Sequence, residues 1–385
     1  MAVYLIGFAV STALIAYAQK KRSSLFFSIS VIALLIPCLI AGLRSQDVGT
    51  DIMVYVKNLT VAAIRADSLQ EYFNSYWYLD WRNMYVQDIE PAFSLMVYLV
   101  AKLTHSLGAV LFVIQAVIIL PIYAALSRNR KTVPVWLGML IYYFLYYNAT
   151  LNQMRQWVAM AFLLLAFQML RERKKGLLML FSVVGFLFHF SAIIVIAVYA
   201  VYWLLWAPRR TGLAQQNLKV QSPTLIAVIL FAVAMLLVMN LPLVLKLFSL
   251  VGFNRYNNYL DGGQFQIMLN QIILRLPLLA VLAVSWKELN KEDKAAPFYL
   301  AMVLLDIVAS QLVSVDVNAI RIGYFFAIYA VLWIPSVYRA CGSGVKRTTI
   351  TVLLVAYAVF FWYYTYVVQL RHETYPYHFF FEGLQ

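Results

Sequence analysis

RERKKGLLMLFSVVGFLFHFSAIIVIAVYAVYWLLWAPRR, residues 171–210, is the stretch on which the fold turns. A predominantly apolar run of thirty residues, 177–206, lies between two basic clusters, Arg171/Arg173/Lys174/Lys175 and Arg209/Arg210. A bilayer span takes about 20 residues, with a range of roughly 17–25, and basic clusters stay on the cytoplasmic side. If both clusters are cytoplasmic, the thirty residues must supply two short spans, 177–188 and 191–206. Each leg then reaches only ~22 Å at ~1.5 Å per residue, against a hydrocarbon core of ~30 Å. The turn at Phe188-His189-Phe190-Ser191 therefore sits below the outer surface, and His189 lines the floor of a recess. A single tilted helix over the same residues would carry Arg209 and Arg210 to the outside, against the charge rule.

The same alternation extends in both directions from this stretch. Apolar runs occur near residues 2–18, 26–43, 107–126, 134–149, 155–170, 224–245, 268–285, 297–313, 320–338 and 349–368, which makes twelve spans with the two above. Apolar and aromatic residues make up 64% of the 385 and charged residues 12%, about half the usual charged share, which excludes a water-soluble enzyme. Thirty Lys+Arg stand against 16 Asp+Glu, but they sit in short clusters between apolar runs, which is an orientation signal and argues against nucleic acid as a partner. Placing Lys20-Lys21-Arg22, Arg128/Arg130/Lys131, the two clusters quoted above with Lys219, Lys287/Lys291/Lys294 and Arg339/Lys346/Arg347 in the cytoplasm accounts for nineteen of the thirty. With Glu172, Glu288, Glu292 and Asp293, that side carries +15 and the remainder −1. Both termini then lie outside. Residues 91–103, also apolar, would break this parity as a full span. At ~20 Å they read as a half-helix or interfacial helix.

The first apolar run has no basic segment before it and a basic cluster after it, so it reads as a retained span rather than a cleaved signal. Cys38 and Cys341 have neither disulfide nor metal-ligand spacing. There is no GxxxxGK[ST] and no GxGxxG, so no cofactor is implied, and nothing in the sequence requires a metal, although Asp47, Asp51, Glu90 and Asp316 could bind a divalent cation if they converged. The expectation is an all-α polytopic membrane bundle, one integral domain over 1–385, with a single large outer loop at 43–90.

Polar groups are expensive inside a bilayer, so their placement is informative. Four arginines flank predicted outer loops: Arg44, Arg155, Arg255 and Arg321. Snorkelling explains any one of them, whereas together they suggest a cationic pocket for phosphate, which guanidinium groups bind in a bidentate way. Asn152, Arg155 and Gln156 fall at i, i+3 and i+4, on one face of an outward helix start whose dipole favours an anion. In the loop, Gly49 permits a tight turn that brings Asp51 back towards Arg44, and Asp51 is a candidate proton acceptor. The aromatic stretch 72–85 reads as interface belt more than as a sugar platform. Arg275 and Asp306, each ~10 Å from an outer end, are expected to form a buried structural pair.

Gly42-Leu43-Arg44, Val48-Gly49-Thr50-Asp51 with Tyr55, Glu90, Asn152-x-x-Arg155-Gln156 and His189-Phe190-Ser191-Ala192, in this order over residues 40–200, resemble the EpsG-like (Wzy-type) polysaccharide polymerases of bacterial membranes. The second half agrees in its apolar pattern and in Arg321-Ile322-Gly323-Tyr324. The resemblance implies a GT-C-like bundle. It also implies a glycosyltransferase that moves a glycan from undecaprenyl diphosphate to the terminal sugar of another lipid-linked repeat unit, on the outer face of the cytoplasmic membrane. Such an enzyme makes O-antigen, exopolysaccharide or capsule. On that reading Arg44, Arg155, Arg255, Arg321 and Tyr324 bind the diphosphate end, and Asn152 and Gln156 orient it. His189 or Asp51 takes the acceptor's proton, and Glu90 holds the sugar or an arginine. The partners implied are the lipid-linked oligosaccharide, membrane lipid, and a chain-length regulator and flippase. A lipid-linked oligosaccharide flippase or transporter, and an O-antigen-type ligase, remain alternatives. The tail with His372, Glu373, His378 and Glu382 is a candidate cap for the outer cavity.

Overall fold

The computed structural model describes residues 1–80, 82–210, 222–241, 243, 246 and 265–382. Among these the structure is almost wholly helical, with one two-stranded hairpin. The chain divides into two compact units, Met1–Ile193 with Val355–Gln385, and Ile194–Leu354.

In the first unit the principal helices are α1 (Ala2–Gln19), α2 (Ser23–Gly42), α3 (Lys57–Arg65), α4 (Leu69–Asn74), α5 (Pro91–Thr104), α6 (Leu107–Ser127), α7 (Val135–Leu145), α8 (Tyr147–Thr150), α9 (Met154–Arg171) and α10 (Lys175–Phe188). Hairpin strands β1 (Tyr76–Leu79) and β2 (Arg82–Tyr85) sit between α4 and α5. Its core is aromatic. Phe8 stacks on Tyr143 at 5.3 Å, and Tyr4 meets Tyr147 and Trp362 edge-on at 6.2 and 6.0 Å. Pro37 inside α2 has no N–H for the carbonyl of Ala33, and the Ser11 hydroxyl of α1 donates to that carbonyl at 2.8 Å. The same Ser11 oxygen lies 2.7 Å from the Tyr143 hydroxyl, and Tyr147 donates to Pro37 O at 2.6 Å. These bonds satisfy inside the protein what a bilayer cannot satisfy.

Three basic clusters meet at one end of this unit. Gln19, last in α1, donates to Arg130 O and Val133 O at 2.6 and 2.7 Å and accepts from Val135 N at 2.9 Å. Arg128, after α6, pairs with Glu172, after α9, and Lys174 joins Glu172 at 2.8 Å. The ends of α1, α6 and α9 therefore coincide, which is the parity obtained when residues 91–103 do not cross. The corresponding helix, α5, has 14 residues, or ~21 Å. Glu90 is its N-cap, Pro91 its first residue, and His105 closes it in the left-handed region at φ 51°.

The second unit contains α11 (Val195–Arg210), α12 (Pro223–Met239), α13 (Leu269–Val284), α14 (Trp286–Glu292), α15 (Ala296–Ser310), α16 (Tyr324–Ala327), α17 (Ala330–Ala340) and the start of α18 (Val345–Trp362), whose end belongs to the first unit. Arg275 of α13 donates from Nε to Asp306 Oδ2 of α15 at 2.8 Å, and its Nη1 reaches Gln271 O and Oε1. The expected buried pair is present. Lys346 meets Glu288 at 2.6 Å and Val284 O at 3.0 Å, so the clusters at 287–294 and 339–347 also share an end.

Six helices among the described residues are long and apolar enough to cross a bilayer, and up to seven if α13 and α14, bent by 66°, count as one. The remaining expected spans coincide with helices: α9 and the shorter apolar α7, α10, α11 and α12. Span length thus supports six or seven crossings by itself, where periodicity and charge had given twelve.

Candidate active site

At the end of the first unit away from the basic clusters, the starts of α5 and α9 and the end of α10 meet at Glu90. The Glu90 carboxylate is buried. Its Oε2 accepts from Arg155 Nη1 at 2.5 Å, and its Oε1 lies 2.7 Å from His189 Nδ1. Glu90 reaches this place because Pro91 starts α5 immediately behind it, Arg155 because α9 starts at Met154, and His189 because α10 ends at Phe188. His189 itself is extended (φ −163°, ψ 120°) and caps α10, and a tight turn over Phe190–Ile194 follows. The break falls where the 30-residue run required it.

Burial alone would raise the Glu90 carboxyl, but the hydrogen bond from His189 and the charge of Arg155 outweigh it and hold the group down at about 2. Glu90 is thus ionised at neutral pH. With Nδ1 engaged, the Nε2 of His189 makes no hydrogen bond among the described residues, and the ring is partly open to solvent.

A second layer holds the loop 44–55 against this cluster. The Asn152 carbonyl Oδ1 accepts from Thr50 Oγ1 at 2.6 Å and from Asp51 N at 3.0 Å. Asp51 in turn accepts from the Tyr55 hydroxyl across a π-helical turn, Ile52–Val56, and the Arg155 guanidinium lies 4.5 Å from the centre of the Tyr55 ring. Burial, followed by the charge of Asp51, pushes the Tyr55 phenol well up, so it serves as a donor and not as an acid. Gly49 makes the turn at φ +91°. Its backbone approaches Leu151 so closely that a Cβ would lie 2.9 Å from Leu151 O.

Arg44 is 3% exposed and forms no ion pair with a carboxylate among the described residues. Nη2 lies 3.9 Å from Met154 Sδ, while Nε and Nη1 make no hydrogen bond among the described residues. Burial pushes the guanidinium down, and the surrounding groups that oppose this are Tyr147, Tyr4, Tyr377 and the charge of Asp51. The C-terminal tail covers it: Ser45 N donates to His378 O at 2.8 Å, Phe380 N to Leu43 O at 3.0 Å and Gly49 N to Glu373 O at 2.8 Å.

A family model, EpsG, matches residues 8–379. The chain belongs to the EpsG family. No curated protein and no solved structure matches it. Family membership over nearly the whole chain points to a polymerase-type membrane protein of polysaccharide biosynthesis.

In this EpsG-family chain, Glu90, Asp51, Asn152, Arg155 and His189 come together, with Arg44 beside them through Met154. Two expectations change. Arg155 is not a free cation, because Glu90 neutralises it. Asn152 lies before α9 rather than on its first turn, and its side chain is spent on the loop. Gln156, third in α9, is buried. Arg321 and Tyr324 lie in the second unit, Arg321 exposed in a short 3-10 helix and Tyr324 opening α16, and Arg255 falls outside the described residues. Among the described residues, no three His, Cys, Asp or Glu side chains cluster as metal ligands do. Sequence reasoning missed Tyr55 and Thr50 as working parts. The i, i+4 spacing of Asp51 and Tyr55 was the available signal.

Proposed function

We propose that this chain is a polysaccharide polymerase of the O-antigen, exopolysaccharide or capsule type. It transfers a glycan from undecaprenyl diphosphate to the terminal sugar of a second lipid-linked repeat unit on the outer face of the cytoplasmic membrane. The observation that carries this reading is the 2.7 Å contact of His189 Nδ1 with an ionised Glu90, which fixes the tautomer and leaves Nε2 as a base. Nε2 takes the proton of the acceptor hydroxyl as that oxygen bonds to the donor's anomeric carbon. The anomeric C–O bond breaks, and its electron pair leaves with the diphosphate. Arg44, a buried cation that forms no ion pair among the described residues, stabilises the charge that develops there. Asn152 holds Asp51 and Thr50 in place, and Arg155 locks Glu90.

The test is a single incubation of purified protein with a lipid-linked repeat unit. A ladder of products supports polymerisation. One transfer to a different acceptor marks a ligase, and movement across a vesicle wall without a new bond marks a transporter. His189→Ala should reduce the ladder by about 10² to 10⁴ in rate. An unchanged ladder in both His189→Ala and Arg44→Ala removes the assignment.

A further inference from the structure

A cavity of about 640 Å³ opens in the first unit where the end of α2 meets the turn between α5 and α6. Its walls are mostly apolar, with Leu39, Leu43, Leu111 and Phe112 among them, while Gln46, Thr104, His105 and Ser106 add polar groups and Arg44 also lines it. The size matches pockets of ~300–1,000 Å³ that enclose a drug-sized ligand, and so one end of a long chain but not a whole lipid. The floor is rigid because α2 and α6 touch through glycines: a Cβ on Gly108 would lie 2.7 Å from Gly42 O. Leu39 and Leu43 are 48% and 37% exposed, so the cavity continues into an apolar surface.

We infer that this cavity holds the diphosphate-proximal part of a single polyprenyl chain, with Arg44 at its head gripping the diphosphate. The inference rests on the transfer reading above and adds the route of the lipid. A lipid-linked donor must present its chain to the bilayer and its sugar to the base, with the phosphates between them. Arg44 occupies that intermediate position. It lines the cavity, and its Nη2 contacts Met154, the neighbour in sequence of the Arg155 that binds Glu90. A buried guanidinium with two nitrogens that make no hydrogen bond among the described residues, and with the charge of Asp51 acting on it only from a distance, can take an anion, and the mostly apolar walls fix what that anion is attached to. A free phosphate would satisfy the charge but leave the cavity unfilled.

The probe is undecaprenyl diphosphate, without a glycan, carrying a diazirine on its first isoprene unit. It is added to the full chain in nanodiscs of phosphatidylethanolamine and phosphatidylglycerol. Labelling should map to residues 39–43 and 107–113, and excess unlabelled undecaprenyl diphosphate should remove it while excess phosphatidylglycerol does not. Ala109→Phe and Val113→Phe, which fill the cavity, should each lower labelling by about tenfold, and the volume-conserving Ala109→Ser should retain it. Labelling elsewhere, equal displacement by phosphatidylglycerol, or full labelling of both filled variants overturns the inference. The same nanodiscs supplied with lipid-linked repeat unit separate the two readings. A ladder with labelling outside the cavity sinks the lipid route alone, and cavity labelling without a ladder sinks the polymerase alone.

Discussion

Glu90 carries more of this site than any other side chain, since one carboxylate neutralises Arg155 and orients His189. Its depressed titration has a definite sign. A carboxyl held at about 2 in the folded protein stabilises it fully above its ordinary pKa and loses that contribution as the pH falls towards 2. The shift corresponds to on the order of 3 kcal/mol. Melting in detergent should therefore fall between pH 5 and pH 3 more steeply in the native protein than in Glu90→Gln, which has no such charge to lose; parallel curves would refute the pairing. In transfer assays Glu90→Gln should lower kcat by about 10² to 10⁴ with little change in KM, because a positioning residue affects proton transfer more than binding. The residues themselves were legible from sequence, because a buried or outward-lying Arg, Glu or His in an apolar chain is conspicuous. Their pairing was not: Glu90 lies 65 residues from Arg155 and 99 from His189, and no local spacing announces contacts at that range.

Helix termini, more than helix bodies, build the site, and that is where sequence and structure diverge. The break at His189 was readable because charge at both ends of a 30-residue run fixed where the chain had to turn. The start of α9 was not, because Asn152 resembles a helix cap, yet its side chain is drawn off by Thr50 and Asp51. The tail was a candidate cap from sequence, but its attachment over Arg44 was not legible, since it is held by backbone bonds at Ser45, Gly49 and Phe380 that leave no side-chain pattern. Gly49 is the exception among these loop positions, with both a left-handed φ and no room for a Cβ. Gly49→Ala should cost about 1–3 kcal/mol, read as a lower melting temperature, and should shift Asp51 enough to reduce polymer output. Unchanged melting would mean that the turn relaxes freely. Between α13 and α15, Arg275→Ala or Asp306→Ala leaves a buried charge unpaired and should cost about 3–5 kcal/mol. Exchanging the two residues together should recover part of that loss in folded yield, and no recovery would mean that their hydrogen bonds are bound to one orientation.

At the scale of the whole molecule, the proposed transfer depends on which side of the membrane receives the His189 cluster. Within each unit the basic clusters gather at a common end, and in the first unit the candidate site lies away from them. The proposed function requires the clusters in the cytoplasm and the site outside, which is the orientation that the charge rule favours. The native cysteines allow a direct measurement. Cys38 is buried in α2, whereas Cys341 is partly exposed in the basic turn between α17 and α18. A membrane-impermeant maleimide should leave Cys341 unmodified in intact cells and modify it after permeabilisation. A Cys341→Ser chain carrying Asp47→Cys, in the exposed part of the loop that precedes the site, should react in intact cells. The reverse pattern would turn His189 towards the cytoplasm, away from any acceptor on the outer face, and no arrangement of Arg44, Glu90 and His189 would then rescue polymerisation. Because the assignment needs only the sidedness of two positions, it is independent of how many of the short apolar helices complete a crossing.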